Sequence, residues 1–278
     1  MIVETTATIA PNSIILGDCL EVMQDISDKS IDCIIADLPY GITACKWDSV
    51  IPFEPLWEQY KRIIKPNGAI ALFGSQPFTS ALVMSNPKWF KYEWIWEKTC
   101  ATGFLDAKKK PLKNHENILI FYRNLPTYIP QMTKGIAYSR TSNPNKTTIY
   151  GKKKPATTNN TGTRCPKTVL HFNNQNGNLF GDTQKATTHP TQKPVALYEY
   201  LAKTYTLENE LILDNAAGSG TLAIACLNTD RRYICIEKDP DYFEVMRNRI
   251  ENHDRNAPTI PKKTRKPPRA AIGQLELF

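Results

Sequence analysis

The stretch Glu210–Thr221, ELILDNAAGSGT, decides how the rest of the chain is read. A short apolar run ends in an acid, Asp214, and a glycine-rich turn then feeds the helical pattern GTLAIACLN. Glycines in such a turn let the backbone approach a ligand and reach dihedrals closed to other residues. About 20 residues further on, a second apolar run, RRYICIE, ends in Glu237, placed to accept hydrogen bonds from ribose hydroxyls. The turn lacks the third glycine of the dinucleotide fingerprint. A carboxylate beside a pyrophosphate would repel it, whereas one beside an ammonium or sulfonium is favourable. The pattern therefore suits S-adenosylmethionine better than NAD.

Working outward, the same rhythm recurs. SIIL and IDCIIAD read as strands, FEPLWEQYKRIIK as a helix, GAIALFG as a strand, and QPFTSALVM as the start of a helix. YEWIWEK and NILIFYR follow as β-rich runs, and PVALYEYLAKTY and DPDYFEVMRNRI as helices. Continuous apolar strands between helices predict an α/β, Rossmann-like fold: a mostly parallel sheet with helices on both faces. At 278 residues and 41% hydrophobic content, the chain can bury a full core of this kind.

The formal charge is +8, a reason to expect a polyanionic partner, and its placement is more informative than its size. Between Glu116 and Asp182 there is no acidic residue, while Arg123, Lys134, Arg140, Lys146, Lys152, Lys153, Lys154, Arg164 and Lys167 all fall there. This Asn-, Thr-, Pro- and Gly-rich segment shows little periodicity. Unopposed Lys and Arg meet phosphates and release counterions, so Lys146, Lys152, Lys153, Lys154, Arg164 and Lys167 are candidate DNA contacts. Seven scattered cysteines without a CxxC pair point to buried thiols in a reducing cytoplasm. Neither a basic, apolar leader nor a membrane-length apolar run is visible, and the four histidines have no paired ligand spacing. A cytoplasmic protein without a metal site or membrane partner is the expectation.

The other chemistry-bearing stretch is CIIADLPYG, Cys33–Gly41. An aromatic amino group on a nucleobase is a poor nucleophile because its lone pair is delocalised. Two acceptors, one along each N–H, pull the nitrogen toward tetrahedral geometry and free the lone pair for in-line attack on a methyl group. Asp37 offers one acceptor and the Leu38 carbonyl the other. Pro39 stiffens the turn, and Tyr40 offers a flat face for an extruded base.

The pair DLPYG and DNAAGSGT resembles the two diagnostic motifs of the amino-methylating DNA methyltransferases, which modify adenine N6 or cytosine N4 using S-adenosylmethionine. The order, with the catalytic motif first, a basic variable segment between and the cofactor motif last, resembles the family's β arrangement. LGDCLEVM, KPNGAIALFG, NHENILIFYR and HPTQKPVAL are supporting matches, and together they span Ser13 to Ile250. The resemblance implies that Asp37, Leu38, Pro39 and Tyr40 hold the target base. It places Asp214, Ala216, Gly218, Ser219, Gly220, Thr221 and Glu237 around the cofactor, with Asp18 near its adenine. Pro194 would open a helix whose free N–H groups suit the methionine carboxylate, with Lys193 adding charge. The family's usual DPPY is DLPY here, and a main-chain carbonyl survives any side chain. The usual DPF is DNA here, which removes an aromatic and bears on cofactor affinity. By resemblance, Asp at the first catalytic position favours adenine, whereas Ser there favours N4 of cytosine.

The implied activity is methylation of adenine N6 in double-stranded DNA. Rivals are an N4-cytosine methyltransferase, an RNA or protein-amide methyltransferase, and a noncatalytic DNA-binding protein. The expected divisions are a catalytic half at 1–123, a target-recognition insertion at 124–185, a cofactor-binding half at 186–252 and a flexible basic tail at 253–278. The tail ends in QLELF, which resembles the peptide that docks bacterial proteins on the polymerase sliding clamp. Gln274 would set orientation while Leu275, Leu277 and Phe278 fill an apolar pocket.

Overall fold

In a computed structural model the described residues are 9–41, 49–142, 146–147, 151–152, 155–173 and 192–253, with backbone alone at 146–147 and 151–152. Lys153, Lys154, Gln274, Leu275, Leu277 and Phe278 lie outside them, and Lys146 and Lys152 are described in backbone only.

The chain runs β1 (Ser13–Leu16), α1 (Cys19–Val22), β2 (Ile31–Ala36), α2 (Phe53–Ile63), β3 (Ile64–Gly74), α3 (Phe78–Ser85), β4 (Phe90–Thr102) and β5 (Lys113–Phe121). Then come β6 (Thr133–Lys134), β7 (Tyr138–Ser142), β8 (Lys146–Thr147), β9 (Gly151–Lys152), β10 (Ala156–Asn160), β11 (Thr163–Arg164) and β12 (Val169–Phe172). The chain closes with α4 (Val195–Tyr205), β13 (Leu211–Asp214), α5 (Thr221–Thr229), β14 (Arg232–Glu237) and α6 (Pro240–Glu251).

Eight strands form one sheet in the order β1-β14-β13-β2-β3-β5-β4-β12. The strands from β1 to β3 are mutually parallel, and β5 runs antiparallel to both β3 and β4. Alternation along the strands assigns the two faces. Cys33 and Ile35 join Ala69, Ala71 and Ile212 under residues of α4, α5 and α6. Ile34 and Ala36 join Ile70, Leu72 and Leu213 under Leu56, Trp57, Tyr60 and Ile63 of α2 and Phe78 of α3. Each large apolar side chain among these stabilises the fold by roughly 1.5–3 kcal/mol through burial. All residues of β2 and β13 are buried, which explains their continuous apolar reading. The acid inside β2, Asp32, is satisfied by Lys65 Nζ at 2.5 Å and the Leu211 amide at 2.9 Å, which ties three strands together.

The described residues of the segment with little periodicity form three two-stranded pairs, β7 with β10, β6 with β11 and β8 with β9. These strands are short and polar, and largely exposed where their side chains are described, so they have no apolar face to signal. Its last strand, β12, lies parallel to β4 as the edge of the main sheet. No helix among the described residues is long and apolar enough to cross a membrane.

Parallel strands bring their carboxyl ends to one edge. Asp37 follows β2 directly, Asp214 ends β13 and Glu237 ends β14. Gly74, the end of β3, pairs with Asn117, four residues into β5. The β4–β5 hairpin therefore projects past the carboxyl ends of the parallel strands.

Candidate active site

β2 and β13 are neighbours in register, with Leu213 opposite Ile34, so Asp37 and Asp214 emerge side by side. Asp37 is partly exposed, at 23%, and both of its oxygens are engaged. The Tyr40 hydroxyl donates to Oδ1 at 2.6 Å and the Lys193 ammonium to Oδ2 at 2.6 Å. Burial, reinforced by the Asp37 charge, pushes the Tyr40 hydroxyl well above the usual tyrosine range, so it remains a donor. One face of the Tyr40 ring stacks on Phe78 with centroids 5.1 Å apart. The Leu38 side chain is buried in the α2 layer, which anchors the turn that carries its carbonyl.

Lys193 is the residue whose placement differs most from expectation. Its ammonium is directed to Asp37, and it also lies 3.1 Å from Glu116 Oε2. Glu116 Oε1 in turn pairs with Lys98 at 2.5 Å. Burial alone would depress the Lys193 ammonium, but Asp37 and Glu116 outweigh it and hold the group above the ordinary lysine value. Burial would likewise raise Glu116, and Lys193 and Lys98 outweigh it to keep the carboxylate low. The main chain of Lys193 also reaches the glycine turn, since its carbonyl accepts from Thr221 Oγ1 at 3.5 Å. Pro194 caps α4 with extended backbone, as the motif implies.

On the cofactor side, Gly218 and Gly220 have φ of 52° and 76°. The Gly218 amide donates to Glu237 Oε2 at 2.6 Å and the Asp239 amide to Oε1 at 2.8 Å. The ribose candidate thus also braces the turn. Asp214 accepts from the Ala216 amide at 3.0 Å, and burial raises its carboxyl well above the aspartate range. Glu237 is raised for the same reason, against the hydrogen bonds it accepts from main-chain amides. Asp18 caps α1 through the Leu20 amide and pairs with Lys238 at 2.9 Å, and the Gly17 amide donates to the Glu237 carbonyl at 2.9 Å. It stands at the same sheet edge, with its carboxyl lowered by Lys238. Ser219 accepts from Arg249 Nη1 at both its carbonyl and its hydroxyl, at 3.0 and 3.2 Å.

Three acids, two left-handed glycines and the buried Asn215 Nδ2, which has no hydrogen-bond partner among the described residues, make a donor and acceptor set. That set fits a ligand bearing an ammonium, a sulfonium, ribose hydroxyls and a carboxylate. Among the described residues no His, Cys, Asp or Glu cluster could hold a metal. Of the basic candidates, Arg164 is committed locally. Its guanidinium donates to Asn160 Oδ1 at 2.6 Å and to the Thr163 and Ile136 carbonyls, and it lies over the Tyr138 ring. Lys167 is exposed. Glu116, Lys98 and Arg249 received no role from the sequence. Glu116 lies inside NHENILIFYR, so its motif marked it without saying what it would touch.

The family model for DNA methylases of the N6/N4 type matches residues 31–248. The type II methyltransferase M.HpaI of Haemophilus parainfluenzae is 24% identical over 92% of this chain and 79% of its own length. M1.MboII of Moraxella bovis is 27% identical over 83% of this chain and 93% of its own. The crystal structure of the M1.HpyAVI–SAM complex superposes with a TM-score of 0.57 at 22% identity, covering 85% of this chain and 98% of that one. The cytosine-N4-specific PvuII DNA methyltransferase superposes at 0.61 and 14% identity, covering 90% and 89%. Both structures share the fold described above.

Proposed function

We propose that this chain, which belongs to the DNA methylase family, transfers a methyl group to the N6 amine of adenine in duplex DNA. Membership makes it a DNA amino-methyltransferase that uses S-adenosylmethionine. The finer choice of adenine is our reading. The observation that carries it is Asp37 at the tip of β2, beside Asp214 at the tip of the adjacent strand.

Bound S-adenosylmethionine supplies an electrophilic methyl carbon on a sulfonium. Asp214 and Glu237 would hold its cationic and ribose parts, with Asp18 toward its adenine and the Asn215 amide as a donor. Asp37 accepts one N–H of the target amine, and the Leu38 carbonyl accepts the other. That grip localises the nitrogen lone pair, and Asp37 can take the proton that the nitrogen sheds after the new N–C bond forms. Tyr40, held by Phe78, keeps Asp37 aimed through its hydroxyl, and a base stacking on it would use the face away from Phe78. The nucleophile belongs to the substrate, so no covalent enzyme adduct is required. Carboxylate at the first motif position, where N4-cytosine enzymes by resemblance carry serine, supports adenine.

The test is mass analysis of nucleosides from DNA treated with the enzyme and S-adenosylmethionine. N6-methyladenine is expected, and N4-methylcytosine in its place would overturn the choice of base. As a further part of this reading, Gln274–Phe278 docks the enzyme on the polymerase sliding clamp. Deleting those five residues is expected to abolish co-migration with the clamp, and unchanged binding would remove that element.

A further inference from the structure

The acceptor at the tip of β2 is already in use. Asp37 Oδ2 receives Lys193 Nζ at 2.6 Å, on the carboxylate that the proposed function gives to the target amine. The ammonium is almost wholly enclosed, at 7% exposure, with the Tyr40 and Phe73 rings 5.8 and 5.5 Å away. Its second anionic neighbour is differently supplied. Glu116 Oε2 is buried and receives no aligned hydrogen bond among the described residues, and Lys193 Nζ pairs with it only as an ion at 3.1 Å. A short swing of one ammonium would therefore release an oxygen of Asp37 and turn the 3.1 Å ion pair with Glu116 into an aligned hydrogen bond. Lys98 stays on the other oxygen of Glu116, so two cations and two carboxylates remain balanced in either position.

We propose that Lys193 is a placeholder for the substrate amine: it occupies Asp37 Oδ2 until an N–H of the target base arrives, and then passes to Glu116. Glu116 is on this view a positioning residue. Three physical reasons favour the exchange. A carboxylate in a partly dry site is costly to leave unpaired, and an ammonium supplies the same N–H donation as the incoming amine. Once that amine is bound, a cation on the same carboxylate competes with it for the acceptor. A cation there would also oppose the positive charge that grows on the nitrogen as the new bond forms, so its retreat favours transfer. The wall of aromatic rings keeps the ammonium within this short path and away from solvent.

The inference rests on the role of Asp37 proposed above, and single-turnover transfer of tritiated methyl groups to unmethylated genomic DNA tests the two separately. Absence of transfer by the wild-type enzyme would count against the function itself. For the handover, Glu116→Gln keeps shape while removing the charge that draws Lys193 away. It is expected to slow transfer at saturating DNA and cofactor by about tenfold or more, with S-adenosylmethionine affinity, measured by calorimetry, within about twofold of wild type. In a Lys193→Met background, where nothing has to be moved, the same Glu116→Gln change should alter the rate by less than about twofold. Equal slowing in both backgrounds, or no slowing in either, overturns the proposal. If the methionine variant does not fold, a crystal structure of the wild-type enzyme with S-adenosylhomocysteine and a duplex carrying its mapped site decides the matter. Lys193 Nζ nearer to Glu116 than to Asp37 is expected there, and Nζ still on Asp37 sinks the idea.

Discussion

The role proposed for Asp37 predicts that its substitution separates catalysis from cofactor binding. Asp37→Ala removes the charge-assisted acceptor proposed for the reacting nitrogen, together with the partner of Tyr40 and Lys193. We expect a loss of about 10²-fold or more in turnover, with cofactor affinity retained in calorimetry. Near-normal turnover would take the role away from Asp37. The buried acids of the cofactor side give a different signature. Burial raises the Asp214 and Glu237 carboxyls. A carboxyl whose folded value lies above its unfolded value binds more protons in the folded chain across the interval between them. Its contribution to stability is complete below the unfolded value and is lost as pH rises through that interval. Asp18 and Glu116, both lowered, act in the opposite direction and lose their contribution as pH falls. In cofactor-free protein the melting temperature of Asp214→Asn, relative to wild type, should therefore climb as pH rises above the ordinary aspartate range. A flat or falling difference would show that the folded chain does not protonate this carboxyl. The placement of Asp37 and Asp214 at strand tips was legible in the sequence because each closes a continuous apolar run. The destination of Lys193 was not. Its partners stand 156 and 77 positions away, and no local pattern reports such a meeting.

At the level of elements, most of the reading followed from periodicity. The fully buried β2 and β13 and the amphipathic α2 announce themselves by their apolar spacing. β4 proved longer than its aromatic core, because pairing with β5 continues through residues with no apolar alternation. β12 escaped notice because only four residues form it and two of those are exposed. The junction between β13 and α5 is sensitive to change. Gly220 has φ of 76°, and a Cβ there would meet Met246 Cγ at 2.6 Å, so conformation and space both exclude a larger residue. Gly220→Ala should destabilise the protein by about 1–3 kcal/mol through backbone strain alone. It should also weaken cofactor binding, since the Gly218 amide held by Glu237 belongs to the same turn. Thermal denaturation with and without S-adenosylmethionine checks both effects, and a variant as stable as wild type would show that α6 can yield.

Across the whole molecule, one edge of the sheet gathers Asp37, Asp214 and Glu237, and the β4–β5 hairpin projects beyond that edge. Its tip carries exposed Lys108, Lys109 and Lys110, with Phe104 and Leu105 exposed at 74% and 86%. The three lysines lie outside the basic segment that the sequence marked, yet the hairpin carries them past the same sheet edge. Replacing all three with alanine should weaken duplex binding and flatten the dependence of log affinity on log salt by up to about 3, near 0.9 for each phosphate no longer neutralised. Fluorescence anisotropy across a salt series measures it, and an unchanged slope would remove the hairpin from the DNA face. The same sheet fixes when the enzyme can first act. β1 borders β14, and Ser13 pairs with Ile234. At about 5–20 residues per second, that partner leaves the ribosome on the order of 10–40 s after the first strand does. A nascent chain thus cannot begin marking the genome. A premature stop codon anywhere ahead of Arg232 strands β1 without its neighbour, however complete the catalytic motif behind it.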